Sequence, residues 1–427
     1  MFKKYVQKRL EKYVRKYFQT HPEVKLVVVA GSVGKTTTKT MIATLLSQRL
    51  RVGMDDSNHN THLSAPLGIL GISYPENPRS ISQWLQVFSA CKKRIKQPAT
   101  VDVLIQELGT DTVGDIAHFG TYLRPHIAVV AAVTPEHMEF FGTIERVAEE
   151  ELAVTNYSEL SLINRDDIDG RFANFITNPN IATFGTTSAA EYRFETDDFS
   201  IENGYSGRII APELAQPIPA SVRVLGEHSL RPVMAAVATA LRLGLSAQEV
   251  VNGLAEVRAV AGRMNVLPGL KSSIIIDDTY NSSPAAVASA LQTLYSMQAP
   301  QRIAILGSMN ELGVSSEAEH RKVGEMCDPG LLAWVVTVGE DAEKWIASVA
   351  KFRGCQVRSF QNPIDAGAFA NSVLEENAIV LVKGSQGGIF CEEAVKILLQ
   401  HTSDDSKLVR QSPEWMETKR SFLEKLK

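Results

Sequence analysis

The sequence predicts an α/β protein: a doubly wound, P-loop central domain followed by a Rossmann-like C-terminal domain. Three observations carry this. Val27 to Leu46, VVVAGSVGKTTTKTMIATLL, is an apolar run, a glycine turn and a segment with helical spacing. Inside it, Gly31-Ser32-Val33-Gly34-Lys35-Thr36 is a shortened phosphate loop, with one residue fewer between its glycines than G-x-x-x-x-G-K-[ST]. Beyond Asn265, short apolar strands alternate with helical segments, as in a second parallel sheet.

Composition bounds the rest. A chain of 427 residues with 44% hydrophobic content supports two or three domains with cores of their own. At a net charge of −4, no global basic field recruits nucleic acid. Cys91, Cys327, Cys355 and Cys391 show no C-x-x-C spacing, so they spell neither a zinc knuckle nor a disulfide framework, which suits a reducing cytoplasm. The basic opening MFKKYVQKRLEKYVRKYF leads into no uninterrupted apolar stretch, so no export signal is legible and the expected location is cytoplasmic. The sequence specifies no oligomeric state.

Residues 1–22 form a basic amphipathic helix. Phe2, Tyr5, Val6, Leu10, Tyr13, Val14, Tyr17 and Phe18 share one stripe, with Lys3, Lys4, Lys8, Arg9, Lys12, Arg15 and Lys16 elsewhere. It reads either as a helix docked on the next domain or as a membrane-surface or partner helix, a weak contact through residues 1–18. The central domain spans 23–264. Its loop glycines let consecutive N–H groups and a helix N-terminus converge on a polyphosphate; Lys35 meets the β- and γ-phosphates and Thr36 offers a hydroxyl to Mg²⁺. The stretch 55–70 holds Asn58, His59, Asn60 and His62, a binding loop or a plain surface loop. Glu107 closes the strand Val101 to Glu107 beside the phosphate loop, placed for Mg²⁺ or simply a strand-end acid. His126 to Val133 is another strand, with His137 just beyond it as a ligand or a structural histidine. Glu149, Glu150 and Glu151 follow on a helix, by themselves an ordinary solvated acidic face. Strands at Leu160–Asn164 and Ile181–Phe184 precede short alternating segments over 186–225, a small antiparallel appendage. Helical patterns cover Arg231–Arg242 and Ser246–Val257. The C-terminal domain, 265–402, has strands at Ser273–Asp278, Arg302–Leu306, Trp334–Val338 and Ile379–Lys383, without G-x-G-x-x-G; a polar tail fills 403–427.

Taken together, these segments resemble the Mur ligase family from about Lys25 to about Gln400. The phosphate loop through Thr37 resembles its ATP loop, and His59 to Leu67 its asparagine-rich loop, implying that Asn58 and Asn60 bind substrate. Glu107-Leu-Gly and Thr134 to Gly142 resemble its metal-binding segments. Asp277-Asp-Thr-Tyr-Asn-Ser-Ser-Pro is similar to the D-D-x-Y-N-x-N-P of the branch that adds D-alanyl-D-alanine to a muramyl tripeptide. Leu306 to Gly313, Glu319-His-Arg and Val382-Lys-Gly-Ser match that branch as well. The branch's N-terminal uridine-nucleotide domain is missing ahead of the loop. Gly226 to Pro232 stands where H-N-x-x-N is usual, keeping His228 but placing Ser229 and Pro232 at the asparagines. Glu151 falls where many members carry a carbamylated lysine.

The resemblance implies an ADP-forming amide ligase of peptidoglycan precursor synthesis, with ATP and Mg²⁺ as cofactors and a muramyl peptide and D-alanyl-D-alanine or an amino acid as small-molecule substrates. The acceptor carboxylate attacks the γ-phosphate of ATP, and the amine then displaces phosphate from the acyl phosphate. Lys35, His137 and Glu151 are the implied catalytic residues. Metal falls to Thr36, Glu107, His137 and Glu151. ATP contacts fall to residues 31–37, His228, Arg263, Asp278 and Asn281, and the amine substrate to Lys383 and Ser385. Domain closure precedes chemistry. Alternatives are a Mur-like ligase on a lipid-linked, folate-type or other acceptor, and a non-catalytic nucleotide-binding homologue.

Overall fold

The computed structural model describes residues 2–55, 59–135 and 138–426. The chain forms two compact units, one of Met1–Thr134, Phe140–Arg223 and Ser229–Val257, the other of Pro135–Glu139, Val224–His228 and Arg258–Lys427.

The first unit is built on a nine-stranded sheet in the order β2-β3-β1-β4-β5-β6-β7-β8-β9. Its strands are β1 (Lys25–Ala30), β2 (Val52–Met54), β3 (Val103–Glu107), β4 (Ile127–Val130), β5 (Leu160–Asn164), β6 (Ile181–Gly185), β7 (Tyr192–Ser200), β8 (Gly204–Ile210) and β9 (Ile218–Val222). β2 through β6 pair in parallel, and β3, β4 and β5 are buried end to end, which is why they read as unbroken apolar runs. The segment read as an appendage is antiparallel, as expected, but it is not a separate body. β7 joins β6 through the parallel pairs Phe184↔Tyr192 and Gly185↔Arg193, and the β7-β8-β9 meander extends the same sheet.

Helix α1 (Phe2–Thr20) buries Val6, Leu10, Tyr13, Val14 and Tyr17 against α3 (Ala65–Leu70) and α4 (Ile81–Lys96), while α2 (Lys35–Leu46) follows the phosphate loop. Of the readings open for the N-terminal segment, docking on the adjacent domain is the one its apolar stripe fulfils. The sequence reading passed over α4, although Trp84, Val87, Phe88, Cys91 and Ile95 carry helical spacing and the Ser80 side chain caps it by accepting from Gln83 N.

The second unit has a six-stranded sheet, β10-β11-β15-β12-β13-β14: β10 (Asn265–Pro268), β11 (Ile274–Asp278), β12 (Arg302–Gly307), β13 (Trp334–Val338), β14 (Val357–Phe360) and β15 (Ile379–Lys383). All pairs are parallel except β10 with β11, and the four strands expected from sequence form its centre. Residues beyond Ser403 pack onto this unit. The Arg410 guanidinium donates to both oxygens of Glu392 at 2.7 Å, to Thr279 O at 2.6 Å and to Tyr280 O at 2.9 Å; Lys419 donates to Glu393 at 2.5 Å. Arg410, Lys419 and Glu392 are buried, so this polar tail is an ion-paired strap. All four cysteines are buried, and burial pushes the Cys91 and Cys327 thiols up to about 12. Among the described residues, no helix is long and apolar enough to cross a membrane.

Candidate active site

In the first unit, β1 runs straight into the phosphate loop. Gly31 has φ 126°, and a Cβ there would lie 2.8 Å from Ala132 N; Gly34, at φ 84°, is the N-cap of α2. Only glycine meets both demands, backbone approach to the wall and a left-handed turn into the helix. Ser32 pins the loop to the strand beside it. Its N–H donates to Ala132 O at 3.0 Å, and its hydroxyl accepts from Thr134 N at 2.8 Å. Lys35 Nζ folds back on the loop, donating to Gly31 O at 2.5 Å and Ser32 O at 3.2 Å. Val33 and Thr37 lie in the same turn, partly exposed.

The register Val29↔Glu107 brings the end of β3 level with the loop. Thr36 Oγ1 donates to Glu107 Oε2 at 2.9 Å, and Asn60 Nδ2 to Glu107 Oε1 at 3.2 Å, so Thr36, Asn60 and Glu107 meet at one point. Asn58 and His137 lie outside the described residues. Lys39 was not foreseen: it is buried, 4.0 Å from Glu107, and donates to Asp55 O at 2.8 Å. It stands four residues after Lys35, the helical spacing that could have flagged it. A hydroxyl and a carboxylate, both hard oxygen donors, fit Mg²⁺, which keeps waters and takes one or two protein ligands beside substrate phosphates. Among the described residues, no group of three or more His, Cys, Asp or Glu is placed to hold a metal ion.

The acidic run behaves differently from a solvated face. Glu149 is exposed, whereas Glu150 and Glu151 are buried. Glu150 accepts from Gly114 N and Ile116 N, both at 2.6 Å, tying down a neighbouring turn. Glu151 Oε2 accepts from Gly31 N at 2.7 Å, which puts a carboxylate directly against the phosphate loop.

The second unit carries its own set. β11 and β15 are adjacent with Asp278↔Lys383 in register, and Lys383 Nζ donates to Asp278 Oδ2 at 2.6 Å and to Asn281 O at 2.9 Å. Asp277, on the other face, accepts from Thr279 Oγ1, Thr279 N and Gly262 N; burial pushes its carboxyl up to about 6. It is a turn-former, while Asp278 faces the lysine. Ser385 Oγ accepts from Asn310 N at 2.9 Å and donates to Ser282 O at 3.4 Å, knitting the loops after β11, β12 and β15 together. The Arg263 guanidinium lies 4.1 Å from the Tyr280 ring centroid. His228 sits in the turn Glu227–Ser229, its ring against Gly226. The structure thus groups Asp278, Asn281, Lys383 and Ser385 at the carboxyl ends of neighbouring strands.

A glycine loop running from a parallel strand into a helix, with a hydroxyl and a carboxylate converging beside it, defines a P-loop nucleotide-binding protein of the α/β class. The profile of the Mur ligase middle domain matches residues 29–240, and that of the Mur ligase glutamate ligase domain matches residues 262–386. The chain belongs to the Mur ligase family. It is 26% identical over 387 residues to the UDP-N-acetylmuramoyl-tripeptide–D-alanyl-D-alanine ligase of Bacillus subtilis (strain 168), covering 88% of this chain and 76% of that one. The Escherichia coli (strain K12) enzyme of the same name is 25% identical over 397 residues, covering 88% and 77%. Among solved structures, MurF ligase from Thermotoga maritima in complex with ADP superposes with a TM-score of 0.74 at 22% identity, covering 93% of this chain and 84% of that one.

Proposed function

We propose that this protein is an ADP-forming C–N ligase that joins D-alanyl-D-alanine, or a closely similar amine, to the carboxylate of a muramyl peptide. The observation that carries the reading is the Thr36–Glu107 contact at the mouth of the glycine loop, where a Mg²⁺-nucleotide needs its oxygen donors. Names of relatives support the choice of substrates.

A carboxylate is a poor electrophile, so the reaction activates it first. Its oxygen attacks the γ-phosphorus of ATP, the bond to the β-bridging oxygen breaks, and ADP leaves an acyl phosphate. The amine nitrogen then attacks the acyl carbon, loses a proton, and inorganic phosphate departs. Thr36 and Glu107 would hold Mg²⁺, which would supply neutralisation of the phosphate charge. Lys35 exchanges the carbonyls of Gly31 and Ser32 for phosphate oxygens, and the loop N–H groups hold the polyphosphate in place. Lys39 orients Glu107 by its charge. Glu151 serves as a built-in carboxylate in the loop wall, with His137 as a further metal ligand. In the second unit, Asp278, Asn281 and Arg263 serve the nucleotide, and Lys383 and Ser385 the incoming amine.

The test is ADP release coupled to mass spectrometry of the product formed from ATP, a UDP-linked muramyl tripeptide and D-alanyl-D-alanine. Product with the parent and none with Lys35→Ala supports the reading. ATP binding without product from any muramyl acceptor overturns it in favour of a non-catalytic homologue, for which the Ser229 and Pro232 replacements speak.

A further inference from the structure

We infer that the exposed basic face made by α1 and α4 docks this protein on an anionic lipid surface. The two helices lie side by side and run in the same direction. The Arg9 guanidinium is 4.8 Å from the Phe88 ring centroid, and the Arg94 guanidinium is 5.4 Å from that of Tyr17. Tyr13 and Phe88 are 6.1 Å apart, and His21 Nε2 is 3.1 Å from Ile95 O. Residue numbers rise together along both.

Packing covers Val6, Leu10, Tyr13, Val14 and Tyr17 of the α1 stripe, so this part of it cannot insert into a bilayer. The opposite surface remains. α1 contributes seven Lys and Arg, and α4 adds Lys92, Lys93, Arg94 and Lys96. The one acid in either helix, Glu11, is buried and accepts from Gln7 Nε2 at 2.9 Å, with His118 Nε2 at 2.8 Å. The two helices together thus hold eleven basic residues and one buried acid, while the rest of the chain holds 33 basic and 47 acidic residues, a net −14. Just beyond the C-terminal end of α1, Glu23 lies 3.4 Å from His21.

Four apolar side chains stand out of this field at the shared N-terminal end of the pair: Phe2 (41% exposed), Tyr5 (53%), Ile81 (65%) and Leu85 (61%). Lysines around exposed aliphatic and aromatic groups match a lipid headgroup layer, which takes the charges at its phosphates and the apolar tips between its heads. A nucleic acid would satisfy the lysines and leave Ile81 and Leu85 in water. A lipid surface also accounts for their exposure on a helix whose Trp84, Val87, Phe88, Cys91 and Ile95 are covered.

The experiment is co-sedimentation of the full chain with phosphatidylglycerol vesicles and with phosphatidylcholine vesicles, at low and high salt. Binding to the first alone, lost at high salt, is expected. Each lysine near such a surface is worth about fivefold in partitioning, so Lys92→Gln, Lys93→Gln and Lys96→Gln together weaken binding roughly a hundredfold. Ile81→Ser with Leu85→Ser weakens what remains. All five positions are exposed, and circular dichroism and ADP release should stay at parent values. Equal binding to both vesicles, no binding to either, or an unchanged triple variant overturns the inference. So does displacement from vesicles by a DNA oligonucleotide that binds the parent and the Ile81→Ser, Leu85→Ser variant equally. Sedimentation does not read ligase chemistry, so this result stands apart from the proposed function.

Discussion

Glu151 gives the sharpest test of the phosphate-loop chemistry, because its carboxylate meets Gly31 N at 2.7 Å in a buried setting and two substitutions separate what it does. Glu151→Ala removes the acceptor and strands the Gly31 N–H, which costs about 1 to 3 kcal/mol. In a unit of this size, each kcal/mol moves Tm by about 2–4 °C, so the alanine variant should melt roughly 2–12 °C below the parent. Glu151→Gln keeps an oxygen at the same reach and gives up the charge, a loss of about 1 kcal/mol, and Tm should fall by only about 2–4 °C. Turnover separates the roles. A carboxylate that serves catalysis by its charge makes the glutamine variant slower by about 10²-fold, the scale of removing one electrostatic contributor to a transition state. Differential scanning calorimetry and a coupled ADP assay, run with and without added bicarbonate, read both quantities; the parent should ignore bicarbonate. A glutamine variant as active as the parent refutes the catalytic role, and an alanine variant that melts with the parent refutes the structural one.

Lys35→Ala should lower kcat by about 10²–10³ while the fold is kept, as a turnover assay paired with calorimetry will show; the amine donates to the loop carbonyls of Gly31 and Ser32. Gly31→Ala places a Cβ 2.8 Å from Ala132 N at φ 126°, so the loop must distort; isothermal calorimetry should detect no Mg²⁺-ATP binding. Arg410→Ala removes two charge-assisted hydrogen bonds from buried Glu392, leaving it Lys419 at 3.6 Å, and should destabilise the second unit by about 1.5–3 kcal/mol in urea titrations. The Asp277 carboxyl is raised from 3.8 to about 6 by burial, so the folded state holds its proton more tightly than the unfolded chain. Its stabilising contribution is therefore complete below about pH 4 and is lost as pH rises through about 6. Asp277→Asn should flatten that part of the urea-midpoint profile.

The strands were legible because they are buried on both faces: Leu160–Asn164 and Trp334–Val338 have the same bounds in the sequence reading and in the structure. The edges were not. β14 is only partly buried, and β10 contains Pro268, so neither shows the apolar run of a central strand. α4 carries the helical spacing of Trp84, Val87, Phe88, Cys91 and Ile95, but exposed Ile81 and Leu85 and basic Lys92, Lys93 and Lys96 blur the boundary of its apolar face. Lys35, Thr36 and Glu107 could be named because a phosphate loop fixes their chemistry locally. Lys39 and the division of labour between Asp277 and Asp278 could not, because they depend on which side of a strand or helix the partner lies. Glu150 and Glu151 look alike in sequence, and the backbone N–H groups each one finds set them apart.

The burial of all four thiols has a practical use. With native cysteines shielded and their acidity suppressed, a cysteine introduced at fully exposed Val314 would be the fast-reacting position for a maleimide dye. Fluorescent derivatives of the second unit should therefore be obtainable without first stripping out the native residues.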